Sequence, residues 1–516
     1  MHNTSTLLIR SVLCVATIGL AAGQQPASVQ QKVRAYRLAH EKEIVREFVH
    51  LLSIPNRASD ISNIERNSEF IKTMLESRGV AVRMLRVQGA PPVVFGELRT
   101  PGVGPTIGIY AHYDGQPVDP VQWLSPPFSP VLRDQKGKQI EWEAADNFDR
   151  EWRIYARSAS DDKAPIEATL AALDAIRASN SPLSVNVKFM FEGEEESGSI
   201  HLPEILGHFP DALNADLWLL CDGPVHQSRR MQVFFGARGE TDLEITSYGP
   251  ARPLHSGHYG NWAPNPIVLL THLIDSMRDI EGKILIPGFY DDVRALTAIE
   301  KRALAQTPAV EEQLKQELAI AVPEGGGAPL AEQILKPALN VHGIQAGHVG
   351  VQAANVIGTE AEASVDFRLV PNQTPDKVRE RVEHHIERQG FFIVHDNPDT
   401  ATRQAHARLV KLEWGSGYPP YRGSMENAAA QGVVHAIEAA SGGPIIQVVS
   451  LGGSVPMYLF EGANHTPVIG VPIANHDNNQ HAPNENLRLQ NLWDAVQVYA
   501  AIFAELDGQA FRSSRD

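Results

Sequence analysis

The sequence predicts an α/β fold, a mostly parallel central sheet interrupted by an inserted α+β unit. Three observations predict it. Apolar strands alternate with segments of helical periodicity through the first 238 residues, the pattern of strands joined by crossover helices. Three of those strands, near residues 106–111, 185–191 and 217–221, run directly into histidine or acidic side chains. Between Gly239 and Arg403 the pattern changes, and afterwards the strand–helix alternation resumes. A chain of 516 residues is also too long for one ordinary domain.

Taken in order, Arg10 precedes an apolar, small-residue run over 11–23, followed by Gln24-Gln25. This predicts a secretory signal peptide over residues 1–23, cut near Ala22 or Gly23, and export to the periplasm or the extracellular space. The apolar run is short for a bilayer span, so no membrane association is expected after cleavage. Cys14 falls inside this leader, and Cys221 is the single cysteine left, which excludes an intrachain disulfide. Residues 31–52 carry Val33, Leu38, Ile44, Val45, Phe48 and Val49 at helical spacing. A strand over 106–111 leads into His112. Asp161-Asp162-Lys163-Ala164-Pro165 opens a helix whose apolar face is Ile166, Leu170, Leu173 and Ile176, with proline in the first turn, where it lacks nothing. Strands over 185–191 and 217–221 end in Glu194-Glu195-Glu196 and Asp222. In α/β sheets ligands bind beyond the carboxyl ends of strands, which is where these acids fall.

The inserted unit is expected over 239–403, between catalytic segments 24–238 and 404–516. It holds an alternating strand at Leu243 and Ile245, a helix over 264–277 and a strand over 361–370. A Thr374-Pro375 capped helix with Val378, Val382 and Ile386 follows, then a strand over 391–394. The glycine run of Pro323-Glu324-Gly325-Gly326-Gly327 sits in a long stretch between them. A helix over 427–440 and a strand at Val468 belong to the resumed catalytic unit. A formal net charge of −16 gives no support to a nucleic-acid partner.

His112, Asp161, Glu196, Asp222 and His481 are a mix of nitrogen and oxygen ligands suited to a pair of divalent cations. Such ions polarise a carbonyl and activate water, so the residues read as a hydrolase. Singly, each has a plain alternative. His112 could be a satisfied strand-end histidine and Asp161-Asp162 a helix cap. Asp222 could serve a turn, and His481 lies in the polar loop His481-Ala482-Pro483-Asn484-Glu485. Three adjacent carboxylates at 194–196 repel one another unless a cation neutralises them, or unless the loop is simply solvated. Asp114 is close enough in sequence to hold the other imidazole nitrogen of His112.

In order and spacing, these residues resemble the co-catalytic two-zinc metallopeptidase family of carnosinase-type dipeptidases, aminoacylases, acetylornithine deacetylase and glutamate carboxypeptidases. The resemblance spans residues 44–504, nearly the whole expected mature chain. It implies a zinc-peptidase-like catalytic domain with a lid that dimerises. One metal would be held by His112, Asp161 and Asp222, the other by Asp161, Glu196 and His481, with Asp161 bridging and a cis peptide at Asp161-Asp162. Zinc is implied, with manganese or cobalt as substitutes. Glu195 would take the proton from the water between the ions and return it to the leaving amine. His255, in His255-Ser256-Gly257, would stabilise the oxyanion across a homodimer. Arg368, in Arg368-Leu369-Val370-Pro371, would grip the substrate carboxylate; a structural salt bridge is its alternative. Gly453 and Ser454, in Gly452-Gly453-Ser454-Val455-Pro456, would bind the substrate's C-terminal end, and Asn355 would add a polar contact.

The chain departs from that family where Ala156-Arg157-Ser158 stands for a Gly-Arg-Gly before Asp161 and Ala164 for the glycine after Lys163. It departs again where Leu451 stands in place of a glutamate before the glycine pair. The second change puts recognition of a free amino group in doubt. The expected function is therefore metal-dependent cleavage of the amide of a dipeptide, a short peptide at its C-terminal residue, or an N-acyl amino acid. A catalytically silent binding relative is the alternative from another class. A lidless aminopeptidase is disfavoured by the context of His255, Asn355 and Arg368.

Overall fold

The computed structural model describes residues 27–462, 465–506, 508, 510 and 511; the expected signal peptide lies outside them. Eight strands form the central sheet, in the order Ala81–Leu85, Val93–Leu98, Asn186–Glu192, Thr106–His112, Leu217–Leu220, Val468–Gly470, Gln232–Phe234 and Ile446–Val448. The four strands from Asn186–Glu192 to Val468–Gly470 are mutually parallel. Antiparallel pairing enters on both flanks, so the sheet is parallel at its centre and mixed overall.

Both faces of that centre are covered, which is why its strands read as continuous apolar runs rather than alternating ones. Ile107, Ile109, Leu217, Leu219, Val187 and Phe189 face one buried cluster. The helices Lys163–Ala178, Ala428–Ser441 and Leu489–Glu505 contribute to that same cluster. Tyr110, Met190, Trp218 and Leu220 point the other way, into a core shared with Leu202–His208 and Met457–Glu461. At Gly108 a Cβ would lie 2.2 Å from Cε3 of Trp218, so the absence of a side chain there lets the indole lie against the strand.

A second, five-stranded sheet has the order Ala338–Gln345, Glu360–Leu369, Gly239–Tyr248, Leu409–Trp414 and Phe392–Val394, with its own core around Leu243, Val365, Phe367, Val378 and Val382. Its fourth strand lies beyond Arg403. Leu409–Trp414 pairs antiparallel with Gly239–Tyr248 and parallel with Phe392–Val394, so this sheet continues past the expected end of the inserted unit. The helix expected over 31–52 is two helices, Val29–Ala39 and Glu41–Leu52. His40 leaves helical geometry (φ −124°, ψ 18°), and Glu41 and Glu43 open the second helix, where carboxylates suit the positive end of the dipole. Among the described residues no helix is long and apolar enough to cross a membrane.

Candidate metal centre and substrate cleft

The carboxyl ends of the parallel strands deliver most of the chemistry. Thr106–His112 ends at His112, opposite Glu192 in the register. Just past Glu192 a short 3-10 turn, Glu195–Ser197, begins, and Asp222 follows the strand Leu217–Leu220 by two residues. Asp161 precedes the helix Lys163–Ala178, and the Asp161-Asp162 peptide is cis. His481 arrives from a loop near the C-terminal helix, with a left-handed backbone (φ 61°).

These side chains form two groups whose ligand atoms lie within 4.8 Å of one another, His112 with Glu195 and Asp222, and Asp161 with Glu196 and His481. Asp161 joins them. Its Oδ1 lies 3.0 Å from His112 Nε2, and its Oδ2 lies 3.1 Å from His481 Nε2. Glu196 Oε2 is 3.2 Å from the same His481 nitrogen. Glu195 Oε2 and Asp222 Oδ2 stand 3.8 and 4.0 Å from His112 Nε2. Asp161 thus points one oxygen at each histidine, the posture a bridging carboxylate needs, although Glu195 also falls within the His112 group.

The donor set fits divalent cations. Glu196 Oε1 is buried with no hydrogen-bond partner, a costly state for a carboxylate oxygen unless a cation meets it. Burial, followed by the Asp161 carboxylate, pushes Asp222 up to about 7. Burial first, with Asp222, Glu196 and Asp161 adding to it against the pull of His112, raises Glu195 well above the usual carboxylate range. Four acids packed this closely cannot all stay ionised without positive charge between them.

Of the supporting residues, Asp114 beside His112 was expected from the chain, whereas Gln116, Glu485 and Lys163 were not. Asp114 faces His112 Nδ1 at 3.3 Å, and it also accepts hydrogen bonds from the backbone N–H of Glu195 and of Glu196, at 3.1 and 3.0 Å. One carboxylate therefore positions the imidazole and the acidic turn together. Gln116 donates to Glu196 Oε2 at 2.7 Å. Glu485, fully buried, accepts from Arg157, Ser158, Ser160 and Asp161, clamping the loop that presents Asp161. Buried Lys163 donates to the carbonyls of Leu51 and Ile54, tying that loop to the second helix. The only sequence signal for Glu485 was its place four residues after His481.

Asp161, Glu195, Glu196, Asp222 and His481 line a cleft of about 600 Å³, with His112 buried behind them. Arg368, Gly453 and Ser454 lie along it. Arg368 Nη1 donates to Ser454 Oγ (2.8 Å) and to Glu240 (2.6 Å), and its Nε donates to Asp366 (3.1 Å). The arginine therefore has structural ion pairs and still borders the cleft. Arg238, missed in the sequence, donates from Nε to the Gly452 carbonyl at 2.7 Å and sets a second guanidinium beside Arg368. Burial, with Arg368 adding to it, brings Arg238 down to about 10. His255 and Asn355 do not join this cleft. They neighbour each other where Leu254–His255 pairs with Val356–Ile357, and the His255 side chain is exposed and accepts from Gly257 N–H.

A family model described as Peptidase family M20/M25/M40 matches residues 108–505. The chain is 25% identical over 510 residues to the Beta-Ala-His dipeptidase of Homo sapiens, covering 93% of each. It is 25% identical over 482 residues to the Cys-Gly metallodipeptidase dug1 of Schizosaccharomyces pombe, covering 90% of this chain and 95% of that one. Among solved structures, the M20 family metallo-carboxypeptidase Sso-CP2 from Sulfolobus solfataricus superposes with a TM-score of 0.74 at 28% identity, covering 89% of this chain and 98% of that one.

Proposed function

From the premise that the chain belongs to peptidase family M20/M25/M40, and is thus a metallopeptidase or a related amidohydrolase, we propose that it is a dipeptidase-type metallohydrolase with Glu195 as general base. Its bond is the amide of a dipeptide, of a short peptide's C-terminal residue or of an N-acyl amino acid. The observation that carries this reading is Asp161, one oxygen toward His112 and the other toward His481, beside Glu195 at the head of the cleft.

In this reading His112, Asp161 and Asp222 hold one divalent ion, and Asp161, Glu196 and His481 the other, with zinc favoured by the mixed donors and manganese or cobalt as substitutes. When bound, such ions polarise an amide carbonyl and make water acidic enough to lose a proton near neutral pH. Glu195 Oε2 takes that proton and returns it to the leaving nitrogen, and Asp114 fixes the backbone that aims it. Arg368 and Arg238 orient the substrate carboxylate, with Ser454 and Gly453 lining its path. His255 and Asn355 lie on the lid outside this chain's cleft, so their proposed oxyanion and substrate contacts belong to a homodimer in which each lid serves the other subunit. Export through the leader at residues 1–23 completes the proposal.

The test is Glu195→Gln in the metal-loaded protein. Activity should fall by about 10²–10⁴ while the metal content holds at two per chain. Full activity in that variant refutes the base assignment. Wild-type protein that holds no stoichiometric metal and cleaves neither dipeptides nor N-acyl amino acids refutes the hydrolase reading. Sedimentation of an active monomer removes His255 from the oxyanion role.

A further inference from the structure

Attack on an amide puts negative charge on the former carbonyl oxygen, and a donor aimed at that oxygen supplies much of the rate. His255 is exposed and outside this chain's cleft, so a donor carried by the same chain has to come from the cleft lining. Among the described residues Tyr418 is the one phenol there, in the same space as Glu195, Asp222, Arg368 and Ser454. Nothing in the order of the sequence singled it out.

Its backbone and its ring are both held. The Tyr418 N–H donates to the Glu240 carbonyl at 2.9 Å, and its own carbonyl accepts from the Glu240 N–H at 3.1 Å. Two glycines make that close pairing possible. A Cβ on Gly239 would lie 2.4 Å from the Tyr418 carbonyl oxygen. One on Gly417, whose φ is +61°, would lie 2.5 Å from the Glu240 carbonyl oxygen. The Tyr418 ring stacks on Tyr458, with centroids 5.7 Å apart and planes 15° from parallel, a contact that favours one orientation of the ring. The side chain therefore meets the cleft from a fixed base rather than from a mobile loop.

The direction of the hydrogen bonds assigns the phenol proton. Arg368 carries donors only. Its Nη1 donates to Ser454 Oγ at 2.8 Å, so the Ser454 proton points away from the guanidinium. Tyr418 is the hydrogen-bonding neighbour that Ser454 meets on its other side. With its oxygen accepting from Ser454, the phenol keeps its own O–H for a group in the cleft. A chain headed by a cation polarises each bond after it, which strengthens the last donor. Burial, then the charges of Glu240 and Glu195, hold the phenol above its ordinary value, so it is a protonated donor at neutral pH. Tyr418 thus neighbours Ser454 at the carboxylate end of the cleft and Glu195 at the ligand end. The scissile amide lies in that span if Arg368 takes the substrate carboxylate.

We propose that Tyr418 is a further catalytic residue, whose O–H donates to the scissile carbonyl oxygen as that oxygen gains negative charge, at the end of the chain Arg368–Ser454–Tyr418. The proton stays on the phenol throughout, and no covalent bond is made or broken at Tyr418. The proposal rests on the amide-hydrolase reading and adds to it an oxyanion donor carried by the same chain as the ligand cluster.

The test is Tyr418→Phe in the metal-loaded full chain, which keeps the ring against Tyr458 and deletes the O–H. Alanylalanine and N-acetylalanine are the substrates. Their phosphinic isosteres, whose P–O⁻ stands where the oxyanion forms, are titrated alongside by calorimetry. The variant should lose about 10²-fold in kcat while KM stays within about twofold of the wild type. Affinity for the isosteres should fall by about the same factor as kcat/KM, because both report the charged tetrahedral state. Ser454→Ala should lower kcat in the wild type and by less in Tyr418→Phe, since members of one hydrogen-bonded chain do not add. Metal content and the urea midpoint, measured on each variant, should match the wild type, which a loss through misfolding would not do. An unchanged kcat overturns the proposal, and so does a rise in KM alone, which would make the phenol a contact of the substrate carboxylate. Full kcat in Tyr418→Phe beside an inactive Glu195→Gln leaves the hydrolase reading standing and the donor refuted. Isosteres that bind and are weakened by Tyr418→Phe, with no amide cleaved, leave the donor standing and the hydrolase reading refuted. Neither cleavage nor isostere binding overturns both.

Discussion

Replacing Glu485 tests how the loop before the metal centre is built. Its Oε2 accepts from Arg157 Nη1 (2.8 Å) and Ser158 N–H (2.9 Å). Its Oε1 accepts from Ser160 N–H (2.9 Å), Ser160 Oγ (2.8 Å) and Asp161 N–H (3.0 Å). In Glu485→Gln, whichever oxygen becomes an NH₂ meets at least two donors, so the isosteric change cannot be absorbed by a flip. The Arg157 and Glu485 side chains are 2% and 0% exposed, and breaking one side of a buried pair costs about 3–5 kcal/mol. That is a large part of the stability of an ordinary domain, about 5–15 kcal/mol. Urea unfolding of the metal-loaded protein should register this loss. Chelator competition should show weakened metal retention, because either orientation of the amide loosens the loop that presents Asp161. Arg157→Leu should cost a similar amount, and Arg157→Leu/Glu485→Leu less than the sum of the single changes, since no unpaired charge is left inside. A loss below about 1 kcal/mol in Glu485→Gln, with chelator competition unchanged, refutes the clamp.

Asp114→Asn should weaken metal affinity about 10–100-fold, as losing the partner of a ligating histidine does, and chelator titration reads it; unchanged affinity would deny Asp114 its joint hold on His112 and the acidic turn. Arg368→Lys keeps the charge but loses the planar fork, so KM should rise for substrates bearing a carboxylate while kcat changes little; equal KM values would leave the arginine a purely structural partner of Glu240 and Asp366. Burial would raise Asp477, but hydrogen bonds from Arg153 and Asn475 and the charges of Arg153 and Arg488 outweigh it and hold the carboxyl at about 2. A depressed carboxyl contributes stability that is complete above its unfolded value of about 3.8 and is lost as pH falls towards 2. Asp477→Asn should therefore destabilise at neutral pH and match the wild type near pH 2; a stability gap independent of pH would contradict the assignment.

The parts of this molecule that were legible in the chain are those whose signal is local. Strands such as Thr106–His112 and Leu217–Leu220 are buried on both faces and so read as unbroken apolar runs. The helix Pro375–Arg388 carried its cap and proline at the start, and Thr374 Oγ1 accepts from Lys377 N–H as expected. What was not legible depends on distant partners. Glu485 meets Arg157 across 328 residues and Arg238 meets Gly452 across 214, and no periodicity encodes such a meeting. Leu409–Trp414 looked like resumed catalytic chain because its place beside Gly239–Tyr248 is a matter of pairing, not composition. The break at His40 was hidden because apolar spacing continues on both sides of it.

The position of His481 and Glu485 in the order of synthesis has its own consequence. The loop that presents Asp161 leaves the ribosome more than three hundred residues before the histidine that faces its second oxygen and the carboxylate that clamps its backbone. Throughout that interval the growing chain carries His112, Asp222 and the acidic turn, but neither the second histidine nor the clamp. A chain at that stage lacks both the imidazole that faces Asp161 and the carboxylate that holds the Asp161 loop, so this arrangement of side chains closes only when the last part of the chain, with the buried helix Leu489–Glu505, has been made.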